Sequence, residues 1–373
     1  MSYVALYRRY RPKNFSEIIG QKAIIQTLSN ALLTNRVSHA YLFCGQRGTG
    51  KTTIARLFAK SINCENRQKN EFEPCNKCES CIEINEGRSL DLIEIDAASN
   101  RGIDEIRNLK EGIHFAPVKS KYKVFIIDEV HMLTKEAFNA LLKTLEEPPT
   151  HAIFILATTE PEKLPSTIIS RTQRFDFKKL TINEIIERLT FLAKAEKIKI
   201  TPDALKEIAL SAEGSLRDAE SLLDQIISLG YKEINLEILE DVLGHLNFEK
   251  TSQFINYLLN KDVKNALIFI DQIYQDGIDL INFSATLLKL LRQTLLLKVN
   301  PQIAEIIKEE FTDDQFEKMK QFAQNFTINE LEKIIDSLMR IKERIKYSPI
   351  ATLPLEMIVI NFCQNENKNS KGE

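Results

Sequence analysis

Residues 45–52, with the sequence GQRGTGKT, have the residue types and spacing of a P-loop. The apolar run before them, 40–44, predicts a buried strand, and residues 53–60 after them predict a helix. Glycines let backbone N–H groups turn toward phosphate oxygens without a Cβ clash, and the start of the helix adds the positive end of its dipole. We therefore predict a nucleotide phosphate site, in which Lys51 reaches the β- and γ-phosphates and the Thr52 hydroxyl holds Mg²⁺. The residues predicted to bind ATP there are Gly45, Gln46, Arg47, Gly48, Thr49, Gly50, Lys51, Thr52 and Thr53.

A second pattern, residues 123–129 (KVFIIDE), predicts a buried strand that ends in two carboxylates. This is a Walker B sequence. Asp128 is expected near the Mg²⁺ held by Thr52, and Glu129 is expected to polarise a water for attack on the γ-phosphate, which requires a carboxylate about one hydrogen bond from the water. The alternative is that both are solvated charges at a strand end; the P-loop in the same chain favours the catalytic interpretation.

Four of the six cysteines are Cys64, Cys75, Cys78 and Cys81, spaced C-x10-C-x2-C-x2-C. Gaps of two residues let successive thiolates converge on one ion, and four thiolates close a tetrahedral structural zinc site with no open position. An iron–sulfur cluster is the rival, although no C-x3-C-P follows, and free thiols are the third possibility. We expect removal of the zinc to loosen this insertion and to leave the P-loop able to bind ATP.

Composition narrows the class of protein. A chain of 373 residues suits two or three domains. Lys plus Arg number 50 against 52 for Asp plus Glu, so the net charge of −2 gives no global nucleic-acid signal. We see no membrane-spanning run and no basic-then-apolar signal pattern at the N-terminus, and so expect a cytoplasmic protein without structural disulfides.

The first half alternates predicted strands (41–44, 92–96, 124–128, 153–158 and a short 174–177) with helical patterns such as 135–147. This alternation predicts an α/β domain, a parallel sheet flanked by helices. From about residue 180 the patterns are helical. Capping boxes lie at 181–184 and 327–330, and at 201–202 a threonine suited to cap a helix precedes a proline suited to its first turn. We predict an ATPase domain over 1–179 with a zinc module at about 64–81, a helical lid over 180–245, an all-α collar over 246–365 and a disordered tail over 366–373.

Together these residues resemble the gamma/tau family of AAA+ clamp-loader ATPases of bacterial DNA polymerase III. The resemblance covers residues 1–365, and a zinc module inside an AAA+ domain is its most specific part. It rests on the P-loop, the cysteines and the segments LYRRYRP (6–12), DAASN (96–100), DEVHML (128–133), LEEPP (145–149), ATTEP (157–161) and IISR (168–171).

The resemblance implies roles for residues outside the two nucleotide motifs. Thr159, with Thr158 as the alternative, matches sensor 1, and Arg217 in the lid matches sensor 2. Arg171 matches the arginine finger that acts in trans on a neighbouring subunit's site, although a threonine here replaces the cysteine that usually follows it. Arg11 and Pro12 lie in the segment that resembles the purine side of the ATP site.

The resemblance also implies the function: an ATPase that uses ATP and Mg²⁺ to load a sliding clamp (beta) onto primed DNA, with delta, delta-prime and further gamma/tau copies as partners. The chain resembles the short, gamma-like form. The family often carries a nucleotidyltransferase label from the DNA polymerase holoenzyme, but no polymerase site is evident here. The collar is expected to mediate oligomerisation.

Two other functions compete with this one. A non-hydrolysing scaffold similar to delta-prime conflicts with the intact P-loop and Walker B carboxylates, and a small-molecule P-loop kinase conflicts with the helical second half. Any DNA contact must be local, because the chain is near neutral. Ser99, Asn100 and Arg101, at the start of a predicted helix, are the candidates for phosphate contact.

Overall fold

The computed structural model describes residues 3–68, 70–99, 112–113, 115–236, 238–239, 248–308, 311 and 313–364. It divides into two compact units, residues 1–233 and 234–373. The predicted boundary between an ATPase domain and a lid, at residue 180, falls inside the first unit.

The first unit is built on a five-stranded parallel sheet with the strand order β2-β3-β4-β1-β5. This confirms the predicted parallel α/β fold. In register, Asp96 at the end of β2 lies beside Asp128 at the end of β3, and Cys44 of β1 lies beside Thr158 of β4. Parallel strands therefore bring the ends of the predicted motifs to one edge of the sheet. The strands are β1 (Ala40–Cys44), β2 (Leu92–Asp96), β3 (Lys123–Asp128), β4 (Ala152–Thr158) and β5 (Gln173–Asp176).

The central strands are apolar because both of their faces are covered. On β3, Phe125 and Ile127 belong to one buried cluster, while Val124 and Ile126 belong to the cluster on the opposite face. The helices of this part of the unit are α1 (Leu6–Arg9), α2 (Lys22–Leu33), α3 (Lys51–Ile62), α4 (Glu79–Glu86), α5 (Lys135–Glu146) and α6 (Ser166–Ile169).

Three helices complete the first unit: α7 (Ile182–Ala195), α8 (Pro202–Ser211) and α9 (Leu216–Ser228). The predicted capping box is present, since the Thr181 side chain accepts from the Glu184 amide and Glu184 caps the Thr181 amide in return. The sequence reading missed the two-residue strands β6 (Lys199–Ile200) and β7 (Glu233–Ile234). Strands this short contain too few residues to show a period of two.

The second unit is helical in its described part, and the capping box at Thr327 is present as predicted. One helix of this unit, Leu280–Val299, is long and apolar enough to cross a membrane by length and composition alone. Half of it is buried inside the unit, where Phe283, Leu287 and Leu291 join the core. A helix in the core of a folded domain can have the same length and apolar composition. The helices are α10 (Phe248–Leu259), α11 (Val263–Gln275), α12 (Leu280–Val299), α13 (Ala304–Lys308), α14 (Asp313–Asn325), α15 (Ile328–Met339), α16 (Ile341–Tyr347) and α17 (Leu353–Gln364).

Candidate functional site

The P-loop connects β1 to α3, and two of its glycines are required by their surroundings. Gly45 has a φ of +149°, and a Cβ there would lie 2.7 Å from the Phe177 carbonyl oxygen. Gly48 has a φ of +77°, and a Cβ there would lie 2.0 Å from the Ser215 Oγ. A side chain at either position would therefore displace the loop or its neighbour.

Lys51, the first residue of α3, lies against the loop it follows. Its Nζ donates to the carbonyl oxygens of Gly45 at 2.7 Å and Gln46 at 3.1 Å. Burial lowers the pKa of Lys51, and the nearby carboxylates of Glu129 and Asp128 partly offset that effect. The ammonium group is thus held at the P-loop, where the sequence predicts phosphate binding.

Two oxygen groups meet at the end of β3. The Thr52 Oγ1 donates to the Asp128 Oδ2 at 2.7 Å. Hydroxyl and carboxylate oxygens are suitable ligands for Mg²⁺, which usually also binds waters and phosphate oxygens. This pair therefore fits the predicted Mg²⁺ site, with Thr52 contributed by α3 and Asp128 by β3.

Glu129 is oriented by the strand beside it. The Thr159 hydroxyl donates to the Glu129 Oε2 at 2.9 Å, and the Thr159 amide donates to the same oxygen at 3.3 Å. Thr158 is fully buried and its Oγ1 lies 2.9 Å from the Nδ1 of His131. Of the two threonines that resemble sensor 1, Thr159 is thus the one that is hydrogen-bonded to Glu129.

His131 was not assigned a role from the sequence. Its side chain is only 5% exposed, and its ring nitrogens lie 3.5 Å from Glu129 Oε2 and from Glu160 Oε1. The signal available in the sequence was its position two residues after the Walker B glutamate. His131 lies in the 3-10 helix Val130–Met132 that directly follows Glu129.

A cavity of about 610 Å³ lies over the P-loop and the two carboxylates, and Thr159 and His131 are not among the described residues that border it. It is bordered by Arg11 and Pro12, by the P-loop from Arg47 to Thr53, by Asp128 and Glu129, and by Arg217. Gly45 and Gln46 do not border it; they contribute carbonyl oxygens to Lys51 instead. The predicted ATP residues are therefore brought together, with the exception of these two.

The lid helices form part of the cavity wall. The Leu216 amide donates to the Gly48 carbonyl at 3.1 Å, and the Arg217 guanidinium lies 4.7 Å from the centre of the Tyr7 ring. A hydrogen bond from Arg217 lowers the pKa of Tyr7. The start of α9 therefore contacts the P-loop directly, which places Arg217 at the cavity.

The lid also contributes a buried ion pair that sequence reasoning missed. The Arg188 Nε donates to the Glu220 Oε1 at 2.7 Å, with both side chains 7% exposed. Burial raises the pKa of Glu220, and the Arg188 charge partly opposes this. Both residues border the cavity. A pair 32 residues apart on two helices has no local pattern that would reveal it.

Arg171 lies elsewhere. Its Nη2 donates to the Glu146 Oε1 at 2.6 Å, and Arg171 is not among the described residues that border the cavity. Of the predicted DNA contacts, Ser99 donates through its Oγ to the Asp96 Oδ2 at 2.9 Å. Asn100 and Arg101 lie outside the described residues.

The four cysteines converge as predicted. The sulfur atoms of Cys64, Cys75, Cys78 and Cys81 all lie within 4.8 Å of one another. The amides of Lys77 and Cys78 donate to the Cys75 Sγ at 3.4 and 3.3 Å. Burial raises the pKa of Cys75, but these amides and neighbouring thiols outweigh it and lower the pKa to about 6. Four clustered sulfurs with N–H···S support fit a tetrahedral thiophilic metal site.

We expect one zinc ion per chain at this cluster. Replacing Cys81 by serine should remove most of the bound zinc, because three thiolates and a hydroxyl form a poorer site than four thiolates. Elemental analysis of freshly reduced protein measures the metal. Cys363→Ser, a buried cysteine outside the cluster, is the matched control and should leave the zinc content unchanged. Iron in place of zinc, or no metal in the reduced protein, would contradict this assignment.

Three family models match the chain. Residues 20–181 match a family described as DNA polymerase III, delta subunit. Residues 184–232 match the clamp loader subunit ATPase lid domain, and residues 234–373 match domain III of DNA polymerase III subunits gamma and tau.

Individual relatives agree with these matches. The chain is 42% identical over 370 residues to the DNA polymerase III subunit tau of Bacillus subtilis, covering 99% of this chain and 65% of that protein. It is 37% identical over 371 residues to subunit gamma of Buchnera aphidicola, covering all of this chain and 99% of that protein. It is 37% identical to subunit tau of Escherichia coli, covering 96% of this chain and 55% of that protein. The chain thus spans nearly the whole length of the gamma relative and 55% to 65% of the length of the two tau relatives.

The cavity between P-loop, Walker B carboxylates and lid, the cysteine cluster and these matches lead to one assignment. The chain belongs to the gamma and tau subunit family of bacterial DNA polymerase III, the AAA+ clamp-loader ATPases.

Proposed function

We propose that the first unit binds ATP with Mg²⁺ in the 610 Å³ cavity and hydrolyses it. The observation that carries this proposal is that Thr52, Asp128 and Glu129 border one cavity with the P-loop, where Thr52 is hydrogen-bonded to Asp128 and Thr159 to Glu129. A phosphate-binding loop, an oxygen site for a divalent cation and a held carboxylate are the parts that nucleotide hydrolysis requires.

Each group has a proposed role in the reaction. Backbone N–H groups of the P-loop and the Lys51 ammonium bind the phosphates. Thr52 and Asp128 would hold Mg²⁺, which when bound supplies positive charge to the β- and γ-phosphate oxygens. Glu129 orients and deprotonates the attacking water, and its carboxylate is kept in place by Thr159. Arg217 brings a further cation from the lid.

We further propose that hydrolysis serves to load a sliding clamp, beta, onto primed DNA during chromosome replication in the cytoplasm. The partners are delta, delta-prime and further gamma or tau copies, with the helical second unit as the collar that assembles them. The three-domain division at about residues 180 and 246 is part of this proposal. Family membership and the match to a clamp-loader lid support it. The DNA contact assigned to Ser99, Asn100 and Arg101 remains a proposal of the same kind.

A second candidate function is that of a non-hydrolysing structural subunit similar to delta-prime. The match of residues 20–181 to a family described as the delta subunit favours it. The two candidates differ in one measurable property. Phosphate release from ATP by the purified chain in the presence of Mg²⁺ supports the ATPase, whereas ATP binding without turnover, in the full assembly as well as alone, would support the scaffold.

Arg171→Ala should lower the ATPase rate of the assembled complex by about 10³-fold or more, because an arginine supplied in trans stabilises charge in the transition state. ATP binding by the isolated chain should not change. Steady-state phosphate release by the assembled complex measures the effect. Arg174→Ala, which removes an arginine paired with Asp176 at 2.7 Å, is the matched control. Equal rates for Arg171→Ala and the unmodified complex would remove Arg171 from the neighbouring site.

A further inference from the structure

The loop that carries the clustered cysteines also contacts the N-terminal part of the chain. Glu73, two residues before Cys75, accepts hydrogen bonds from the backbone amides of Phe15 at 2.7 Å and Ser16 at 2.8 Å. The ring of Phe72 packs against that of Phe15 with the centroids 6.1 Å apart. A single carboxylate thus pairs with two consecutive amides that are 57 or more residues away in the chain.

A buried lysine reinforces this attachment. Lys60, on α3, is 2% exposed, and its Nζ donates to three oxygens: the Lys13 carbonyl at 2.8 Å, the Asn76 Oδ1 at 2.6 Å and the Asn85 Oδ1 at 2.9 Å. Asn76 also donates through its side-chain amide to the Asn14 Oδ1 at 2.7 Å. The charge of a buried lysine is costly unless it is satisfied in this way.

Two of the three acceptors of Lys60, and also Glu73, lie close in the chain to the cysteines. Asn76 lies between Cys75 and Cys78, and Asn85 lies on α4, the helix that begins after Cys78 and carries Cys81. One ion bound by the four thiolates would fix the 73–76 loop and α4 relative to each other. Through the hydrogen bonds of Glu73, Asn76 and Lys60, it would also fix the position of residues 13–16.

Residues 13–16 do not border the cavity themselves, but they connect two groups of residues that do. We call residues 11–19 the wall segment, because Arg11, Pro12, Glu17, Ile18 and Ile19 all border the cavity. The chain just after the wall segment is held separately, since the side chain of Gln21 donates to the Lys178 carbonyl at 2.7 Å and accepts from the Lys178 amide at 3.2 Å. The middle of the wall segment, residues 13–16, is held by Glu73, Asn76 and Lys60.

The wall segment is available to contact the base and ribose of a nucleotide rather than its phosphates. Phosphates are assigned to the P-loop and the Walker B carboxylates, which leaves the base and ribose for the rest of the lining. Apolar surface for a base comes from Pro12, Ile18 and Ile19 of the wall segment and from Leu180 and Leu216 beyond it.

We propose that the metal-bound cysteine cluster positions the wall segment through Glu73 and Lys60, and that metal occupancy thereby sets the affinity of the cavity for the base and ribose of ATP. Glu73 and Lys60 are positioning residues, since neither borders the cavity described above. This inference rests on the proposed function for its nucleotide, but the attachment of the wall segment is testable without any ligand.

The first test compares Glu73→Gln with Glu71→Gln, which changes an exposed glutamate two residues earlier in the chain. Glutamine keeps the size of the side chain but loses the negative charge that pairs with two amides. Calorimetric titration with Mg-ATP and with inorganic tripolyphosphate separates the base from the phosphates. For Glu73→Gln we expect about tenfold weaker binding of ATP, the equivalent of one charge-assisted hydrogen bond, with tripolyphosphate binding unchanged. Glu71→Gln should match the unmodified chain in both titrations.

The second test removes the metal with a zinc-selective chelator while Mg²⁺ is kept in excess. Zinc-depleted protein should show the same selective loss of ATP affinity, and Glu73→Gln should add little to it, because both act on one attachment. Unchanged ATP affinity in both cases, or equal losses for ATP and tripolyphosphate, would overturn the proposal.

The third test uses no nucleotide. Hydrogen exchange at the amides of Phe15 and Ser16 should be slow in the unmodified chain and faster in Glu73→Gln and in zinc-depleted protein. Equal exchange rates would overturn the proposal even if ATP binds. Failure of the unmodified chain to bind ATP, with the exchange pattern as expected, would contradict the proposed function and leave the attachment of the wall segment established.

Discussion

Glu129→Gln is expected to bind Mg-ATP as tightly as the unmodified chain and to lose hydrolysis by about 10²- to 10⁴-fold, the usual contribution of a positioned general base. Glutamine has the same shape and can still accept the Thr159 hydrogen bond that now reaches the Glu129 Oε2 at 2.9 Å. It has no negative charge with which to take a proton from water. Titration should therefore show unchanged ATP binding, while phosphate release should show the loss of turnover.

The matched control for this substitution is Glu162→Gln, an exposed glutamate on the 3-10 helix Pro161–Lys163 that follows Thr159. It should leave both binding and turnover unchanged. Turnover by Glu129→Gln at the unmodified rate would show that another group activates the water, and the base would have to be sought again among the acidic groups of the cavity.

Lys51→Ala is expected to abolish ATP binding under conditions in which the unmodified chain binds. The phosphates would lose their principal cation, and a hydrogen bond to a charged group contributes about 1.5–3 kcal/mol. Two phosphates lose a partner, so the affinity should fall by about 10²-fold or more. Direct titration with ATP, rather than turnover, is the measurement, because it isolates the binding step.

Lys51 is 6% exposed, so the fold of the variant must be checked by its thermal unfolding. The loss of an ammonium held against two loop carbonyls should leave the cooperative transition intact. Lys135→Ala, at an exposed position at the start of α5, is the control for removal of one lysine charge. A folded Lys51→Ala variant that binds ATP with unmodified affinity would contradict the phosphate assignment.

Most of the sheet was predictable from the sequence, because each central strand is a short apolar run between turn residues. The predicted strand 124–128 and the observed Lys123–Asp128 differ by one residue. The P-loop and the four cysteines were also predictable, since their chemistry depends on local spacing. In each of these cases the information lies within about twenty consecutive residues.

The polar contacts that organise the site were not predictable in the same way. The pairing of Glu73 with Phe15 and Ser16, and that of Arg188 with Glu220, joins distant segments through single side chains. Such contacts have no period and no motif. They become visible only after the fold has brought Glu73 beside residues 15 and 16, and the lid helices α7 and α9 beside each other.

The geometry also refines an expectation about the metal. Sequence spacing alone separates the cysteines from the phosphates, which led to the expectation that zinc removal spares ATP binding at the P-loop. In the structure, Lys60 on α3 connects the cysteine loop to the Lys13 carbonyl, one residue after Pro12 at the cavity. The expectation for phosphate binding stands as a prediction, and the attachment adds a separate one for the base.

The most direct test of the account is ATP hydrolysis by this chain, alone and combined with delta and delta-prime subunits, with and without the sliding clamp and primed DNA. We expect slow hydrolysis by the chain alone and faster hydrolysis when the assembly, clamp and primed DNA are all present, with the stimulation lost in Glu129→Gln. No hydrolysis under any of these conditions, by folded protein that binds ATP, would contradict it and identify the chain as a structural subunit.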